Sequence, residues 1–229
     1  MTPVAHCANH PDQPSVATCT RCGRFMCRSC RTGLGSCTEC LARELPSGSG
    51  RAALAVKLLR VMLVSEAAYT VISAVRYASP SSQVALIALG LAAIVQLALL
   101  TTTAVAFLRW WHLTVRHALA RGAELDASPG LAVGVWFIPI VNLFRPRRLA
   151  DHMASVVEGG AAAPIDTWWT LWVIWNVGGQ ISARLGGATS PTFLLVEVAR
   201  GLIGAAAAWY AAQVVQVLQA GLSRPPNAS

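Results

Sequence analysis

The sequence has no cysteine after Cys40 and few charged residues anywhere, although seven cysteines crowd into its first 40 positions. Charged residues make up 12% of the chain and hydrophobic residues 55%, whereas about a quarter of an average soluble domain is charged. So little charge excludes an ordinary soluble domain, and the long apolar runs predict a membrane protein. The N-terminus has no apolar run typical of a secretory signal, so we expect the cysteine-rich segment not to be exported.

The cysteines and one histidine form four pairs, with two residues between the members of each pair. The pairs are Cys7 and His10, Cys19 and Cys22, Cys27 and Cys30, and Cys37 and Cys40. Two soft ligands at this spacing converge on one ion, so four pairs supply two tetrahedral zinc sites. The odd number of cysteines argues against a disulfide framework. Because protein atoms would fill every coordination position, we expect two structural zinc ions.

The spacing between pairs bears on how they combine. Short loops between the later pairs favour a cross-braced arrangement, in which pairs one and three hold one ion and pairs two and four hold the other. The predicted sites are Cys7, His10, Cys27 and Cys30, and Cys19, Cys22, Cys37 and Cys40. Two sequential ribbons stay the alternative. A module of about 40 residues has too small a core to fold alone, so metal must supply about 10 kcal/mol or more per site.

The cysteine-rich segment carries a resemblance to a known finger. Its string His10-Pro11-Asp12, followed by Cys19-Thr20-Arg21-Cys22-Gly23-Arg24 and the last two cysteine pairs, resembles the B-box-type zinc finger of some bacterial membrane proteins, including certain rhomboid-family proteases. Residues 5–42 carry the resemblance, which implies a cross-braced two-zinc fold used for protein contacts. Eukaryotic B-boxes usually end in histidines, whereas this segment ends in Cys37 and Cys40, so no partner preference is carried over.

Four later apolar runs are long enough to cross a hydrocarbon layer of about 30 Å. They cover about 54–78, 83–108, 168–185 and 192–220. We therefore predict an all-α polytopic membrane domain with four transmembrane helices, preceded by the small two-zinc finger. The predicted domains are the finger at 1–42, a flexible Gly- and Ser-containing linker at 43–53, the membrane domain at 54–222 and a disordered tail at 223–229.

A shorter apolar segment, 131–144, does not fit this pattern. As a helix it would rise only about 21 Å, and it contains Pro139 and Asn142. We interpret 131–158 as a re-entrant or interfacial piece, with a spanning segment as the alternative. Residues 147–158 form an amphipathic pattern, which predicts a short helix that lies either on the membrane surface or against the protein's own helices. Its apolar positions are Leu149, Met153, Val156 and Val157.

Basic residues predict the orientation. They cluster before the first apolar run, after the second, after the short segment and after the last run. If the short segment re-enters, all four clusters and both termini lie in the cytoplasm, as the positive-inside rule favours. Only Lys57 among the 18 basic residues is a lysine, which indicates a high-GC bacterial genome. We expect a multi-pass protein of the bacterial inner membrane, surrounded by membrane lipid.

The membrane domain carries a second resemblance. The segment Trp136–Pro146, preceded by Arg109-Trp110 and followed by Trp168-Trp169 and Trp172, is similar to the bacterial membrane family called domain of unknown function 4328. The resemblance extends over about 55–220. It implies a multi-span membrane domain and no established activity.

Several polar residues fall inside the predicted membrane domain. A charged group at mid-membrane costs about 2.5–3.5 kcal/mol, so such groups should face one another or a wet cavity. The candidate intramembrane site comprises Glu66, Asn142, Asn176, Gln180 and Arg200. The alternative is hydrogen bonding between helices, with Glu197 and Arg200 as an i, i+3 pair near the outer interface. For Asn142 the alternative is a structural role beside carbonyls that the nearby prolines free.

The sequence favours no enzyme. The histidines His112, His117 and His152 fall on the predicted cytoplasmic side, away from the serines of the spans, and no nucleophile-elbow, phosphate-binding or zinc-protease motif occurs. The preferred hypothesis is a membrane-anchored finger that binds protein partners at the cytoplasmic face. The alternative is a small-solute or ion transporter, or a membrane sensor, with a regulatory finger. Nucleic acid is not the favoured partner, and a homo-oligomer stays open.

Overall fold

A computed structural model describes residues 5–32, 35–121, 123, 125–157, 159–185 and 191–223, without the side chains of 181–185 and 191–193. The described chain is mostly helical. Two short strands, β1 (Ala17–Thr18) and β2 (Phe25–Met26), precede the helices. The helices are α1 (Thr38–Glu44), α2 (Ser49–Ala78), α3 (Gln83–Ala120), α4 (Pro129–Gly134), α5 (Arg145–Ser155), α6 (Ile165–Leu185) and α7 (Pro191–Ser223).

The chain divides into two compact units. The first comprises Met1–Ser49, Trp110–Ala162 and Leu218–Ser229, and we call it the finger unit after the cysteine-rich segment that it contains. The helical unit comprises Gly50–Arg109 and Ala163–Val217. Helices α3 and α7 each contribute residues to both units, so the boundary does not follow the predicted boundary between finger and membrane domain.

A small ribbon organises the finger itself. Strands β1 and β2 pair antiparallel, with Ala17 opposite Met26. The turn between them contains Gly23 at a φ of 72°, a left-handed conformation that glycine adopts without steric cost. Met26 is buried on the ribbon, whereas Phe25 next to it is half exposed, because successive strand residues point to opposite faces.

The finger continues into a helical core rather than ending at a flexible linker. Leu41 on α1 and Leu45 just after it are buried in one cluster with Leu113 and Ala120 of α3. The Pro46 carbonyl lies 3.2 Å from His117 Nε2. Helix α2 already begins at Ser49, so helix occupies the second half of the predicted linker. The apolar side chains of Leu41 and Leu45 explain why the segment between α1 and α2 is ordered, because their burial holds it against α3.

The rest of the finger unit is a packed core. Trp110 and Trp111 of α3 and Met153 of α5 have no exposed surface. The indole Nε1 of Trp111 donates to the Ala132 carbonyl on α4 at 3.0 Å. Arg121, just past α3, donates to the carbonyls of Gly221 and Leu222 at the end of α7.

The short segment is broken rather than a continuous helix. Helix α4 is followed by 3-10 turns at Val135–Phe137 and Val141–Leu143. Of the two alternatives for the amphipathic pattern, the structure has the packed one. Leu149 and Met153 of α5 are buried within the protein. Whether this segment re-enters a membrane stays a prediction.

The helical unit exposes its apolar side chains. Val84 is 78% exposed and Leu195 71%, which suits helices surrounded by lipid. Three helices of the described chain are long and apolar enough to cross a membrane: Ser49–Ala78, Gln83–Ala120 and Leu194–Ser223. Helix α6 occupies the predicted third run, but its crossing stays a prediction. The predicted loop at 186–190 and the tail from 224 lie outside the described residues.

Candidate metal centre

The first cluster of potential metal ligands joins residues from two separated parts of the finger. Its members are Cys7, His10, Cys27 and Cys30, whose ligand atoms all lie within 4.8 Å of one another. His10 Nδ1 lies 3.9 Å from Cys7 Sγ, 3.5 Å from Cys27 Sγ and 3.2 Å from Cys30 Sγ. The three sulfurs are buried, and His10 is exposed. Four donor atoms at these separations could hold one metal ion.

The second cluster interleaves with the first along the chain. Its members are Cys19, Cys22, Cys37 and Cys40, again with ligand atoms within 4.8 Å of one another. The sulfurs of Cys22 and Cys37 lie 3.8 Å apart. Pairs one and three therefore meet at one place and pairs two and four at the other, which is the cross-braced order rather than the sequential one.

Local backbone structure positions these side chains. Cys37 is the N-cap of α1, and its sulfur accepts a hydrogen bond from the Cys40 backbone N–H at 3.4 Å. The Cys37 backbone N–H donates in turn to Cys19 Sγ at 3.1 Å. Because Leu41 follows Cys40 directly, α1 and its N-cap carry two of the potential ligands and one of the residues buried against α3.

The thiols of the first cluster differ in acidity. Burial raises the pKa of Cys7, but hydrogen bonds from the backbone of Cys27 and from His10 outweigh it and lower the pKa to about 6. Burial, together with the neighbouring Cys7 and Cys27, raises the pKa of Cys30 to about 12. Without a cation, therefore, one thiolate forms readily and suppresses ionisation of its neighbour. A bound cation would reverse this suppression, because it favours every thiolate.

The second cluster behaves in the same way. The backbone N–H of Cys22 is the main cause that lowers the pKa of Cys19 to about 6. Hydrogen bonding with Cys37 and Cys22 is the main cause that raises the pKa of Cys40 to about 12. Burial raises the pKa of Cys37. Both clusters thus contain thiols of lowered and of raised pKa when no metal ion is bound.

Of the predicted intramembrane site, Glu66 is the residue with the most specific surroundings. It is 2% exposed. Its Oε1 accepts a hydrogen bond from Gln96 Nε2 at 2.7 Å, and Ser65 Oγ donates to Gln96 Oε1 at 2.7 Å. Its other oxygen, Oε2, is buried and has no hydrogen-bond partner among the described residues. Sequence reasoning missed Gln96, although a lone amide in a long apolar run was the available signal.

The remaining predicted residues do not share these surroundings. Arg200 binds Glu197 through two hydrogen bonds of 2.6 and 3.2 Å, and its charge acts on Glu66. Asn176 donates to the Trp172 carbonyl one turn back on its own helix. Gln180 is exposed. Two of the five predicted residues, Glu66 and Arg200, are therefore linked electrostatically.

Asn142 belongs to the finger unit, whereas the other four predicted residues belong to the helical unit. It lies in a 3-10 turn, and its backbone N–H donates to the Ile138 carbonyl at 2.7 Å. Its side-chain Oδ1 is buried without a hydrogen-bond partner in the described chain. The proposed role in satisfying carbonyls freed by prolines stays a prediction.

Three apolar helices of membrane-spanning length, together with two clusters of potential metal ligands, define the class of the protein. It is a helical membrane protein with a cysteine-rich segment that could bind metal. Comparison with known families matches residues 77–220 to the family described as Domain of unknown function (DUF4328). Because the match covers more than half of the chain, the protein belongs to the DUF4328 family.

The family match does not cover the whole chain. It begins at residue 77, not near 55 as the resemblance implied, so the finger and nearly all of α2 lie outside it. The B-box identity of the finger consequently stays a prediction. The comparison with curated proteins found no match. The comparison with solved structures found none either.

Proposed function

We propose that the protein is a membrane-anchored zinc-binding protein without catalytic activity. Its finger would mediate protein interactions at the cytoplasmic face of the bacterial inner membrane. The observation that carries the proposal is the convergence of eight ligand residues into two clusters of four. A site closed by four protein ligands stabilises a fold and leaves no open coordination position for a substrate.

The ligand chemistry supports zinc as the metal. Structural zinc is bound by sets such as three cysteines with one histidine, or four cysteines. In a tetrahedron with Zn–S bonds of about 2.3 Å, the sulfurs lie about 3.8 Å apart. The separation of 3.8 Å between the sulfurs of Cys22 and Cys37 agrees with this edge. We therefore assign one zinc ion to each cluster, and a B-box-like cross-brace to the finger.

The contacts of the finger support a role in recognition. Leu41 and Leu45 bury one side of it within its own unit, so the finger is held rather than freely tethered. Phe25 and Val16 on its ribbon are about half exposed. Arg28 is also exposed and forms no ion pair in the described part of the chain. Exposed apolar and cationic side chains of this kind fit a protein partner that presents acidic and apolar groups.

The orientation follows from charge. Arg51, Arg116 and Arg145, from separate basic clusters, should remain on the cytoplasmic side with both termini. This proposal includes four crossings, with α6 as the third, and places the finger in a reducing compartment that preserves its thiolates. Membrane lipid is then the surrounding solvent of the apolar helices.

The test uses the full-length chain in native membranes. A photoreactive residue at position 25 should cross-link a specific protein, and the same residue at position 43 on the exposed side of α1 should not. Arg28→Glu should weaken binding of that protein about tenfold or more, whereas the matched change Arg43→Glu should leave it unchanged. Elemental analysis of the purified chain should find two zinc ions per molecule.

Several results would contradict the proposal. A chain purified without stoichiometric metal, or a partner that binds Arg28→Glu and Arg43→Glu equally, would remove its basis. Point variants are sharper than deletion of the finger, because deletion of residues 1–45 would also take Leu41 and Leu45 out of the core they share with α3.

The second candidate function is a transporter or sensor for a small solute or ion, with the finger as its regulator. The buried Glu66 carboxyl favours it, since an unpaired acidic oxygen inside apolar helices typically marks a functional position. Flux across vesicles that persists in Cys30→Ser and fails in Glu66→Gln would favour this function over the first.

A further inference from the structure

We propose that the Glu66 carboxyl is a reversible proton-binding site, with Oε2 as the atom that gains and loses the proton. The inference does not depend on zinc or on the proposed function of the finger. It rests on the hydrogen bonds, burial and neighbouring charges of one carboxyl group on α2.

The two oxygens of this carboxyl have different surroundings. Oε1 accepts from Gln96 Nε2 at 2.7 Å, and Ser65 Oγ at 2.7 Å from Gln96 Oε1 favours the orientation of the amide that makes this donation possible. Oε1 is thus placed as the carbonyl-type oxygen in either protonation state. Oε2 is buried and has no partner in the described part of the chain. It is the oxygen at which the charge of an ionised Glu66 would be unsatisfied.

Nearby charges oppose one another at this position. The positive charge of Arg200 and the negative charge of Glu197, both on α7, act on this carboxyl. The guanidinium of Arg200 is already bound by Glu197 through two hydrogen bonds, and Tyr69 on α2 also lies within its electrostatic range. With Glu66 ionised, the three charged side chains sum to one negative charge. With Glu66 protonated, they sum to zero.

This balance makes both protonation states accessible. Burial and Glu197 favour the neutral acid, while the Gln96 donor and the Arg200 charge favour the anion. Because these influences oppose one another, the surroundings of Glu66 exclude neither form, and we expect a change of pH to convert one form into the other.

The same geometry argues against other ligands. A metal cation such as Ca²⁺ needs about six or more oxygen ligands, and Glu66 offers one uncommitted oxygen, since both carboxylate oxygens of Glu197 are held by Arg200. An anionic solute would meet the net negative charge of the ionised cluster. A proton needs one oxygen and no further ligand.

Infrared spectroscopy of the full-length protein in lipid vesicles tests the proposal directly. As pH rises, the C=O stretch of a carboxylic acid should disappear and the carboxylate bands should grow by the same amount. The isosteric variant Glu66→Gln should lack this pH-dependent band. The matched variant Glu197→Gln should retain it, with its midpoint moved to lower pH because one opposing negative charge is gone.

A chemical measurement on the unaltered chain gives a second test that needs no variant. Dicyclohexylcarbodiimide enters lipid and reacts with a protonated carboxyl. The acid proton moves to a nitrogen of the reagent, the carboxylate oxygen bonds to its central carbon, and the O-acylisourea so formed rearranges to a stable N-acylurea. Mass spectrometry should find Glu66 labelled several-fold more than Glu197 at pH 6, with less label at pH 9. A band that survives Glu66→Gln, equal labelling of both residues, or a Glu66 signal that does not change with pH would overturn the proposal.

Discussion

The finger unit and the helical unit differ in what surrounds their large apolar side chains. In the finger unit, Trp110, Trp111 and Met153 have no exposed surface, so protein atoms surround the large side chains. In the helical unit, residues such as Val84 and Leu195 are more than 70% exposed, which suits helices surrounded by lipid. Large apolar side chains therefore form a packed core in one unit and, in the other, an exposed surface that suits lipid.

Metal removal should separate the two units most strongly. Structural metal contributes about 10 kcal/mol or more to such a small module, so chelation, or Cys30→Ser, should unfold the finger. Helices of the helical unit should persist. Hydrogen exchange should therefore rise throughout residues 5–40 and change little in 60–100. The matched variant Ser29→Ala, exposed next to the ligand, should retain two metal ions, and a loss of metal there would contradict the assignment.

Removal of a large aromatic side chain should have the next largest effect. Trp111→Ala takes away a fully buried indole that donates to the Ala132 carbonyl, and we expect the free energy of unfolding to fall by about 3–5 kcal/mol. Trp209→Ala in the helical unit changes a half-exposed indole and should cost below about 0.5 kcal/mol. Detergent-induced unfolding of both variants measures the difference, and equal losses would contradict the comparison.

The packing of the finger on α3 can be weakened without disturbing the metal ligands. Leu45→Ala should lower the free energy of unfolding by about 2–5 kcal/mol, because Leu45 is buried with Leu113 and Ala120. Both metal ions should remain, and hydrogen exchange should rise in 41–48 and 113–120. Leu54→Ala, at a half-exposed position of α2, should leave exchange in those segments unchanged. Loss of metal from Leu45→Ala would show that packing and metal sites cannot be separated.

The smallest expected effect distinguishes protein contact from lipid contact within the helical unit. A Cβ at Gly201 would overlap Thr70 Oγ1, so Gly201→Ala should lower the free energy of unfolding by about 1–3 kcal/mol. A Cβ at Gly90 would meet nothing within 4 Å, so Gly90→Ala should raise it by about 0.5–1 kcal/mol through helix propensity. Detergent titration should find opposite signs. The same sign for both variants would contradict close packing at Gly201.

Much of the secondary structure was predictable from local patterns. Apolar length predicted helices near those now seen as α2, α3, α6 and α7, because helix periodicity and length are local properties. The end of α3 was not predicted, since residues 109–120 are less apolar than the run before them and are stabilised as helix by burial of Trp110, Trp111 and Leu113. Likewise, the amphipathic pattern of α5 could not distinguish a lipid surface from a protein surface.

The partners of the polar residues could not be predicted from the sequence. Their sequence positions identified Glu66 and Arg200 as unusual, but a spacing within one helix says nothing about partners on another. Gln96 on α3 contacts Glu66 on α2 through a hydrogen bond between the two helices, which no pattern within one helix predicts. Asn142, in contrast, was grouped with Glu66 because it falls inside the predicted membrane domain, and it belongs to the other unit.

By itself the sequence determined the eight potential ligand residues and the apolar helices, because ligand spacing and hydrophobic length are properties of short stretches of chain. Tertiary structure alone decided which pairs of ligands meet and how the finger is held by Leu41 and Leu45. It also decided which oxygen of Glu66 lacks a partner. Each of these depends on contacts between residues far apart in the chain, and such contacts are selected by the packing of whole elements rather than by local preference.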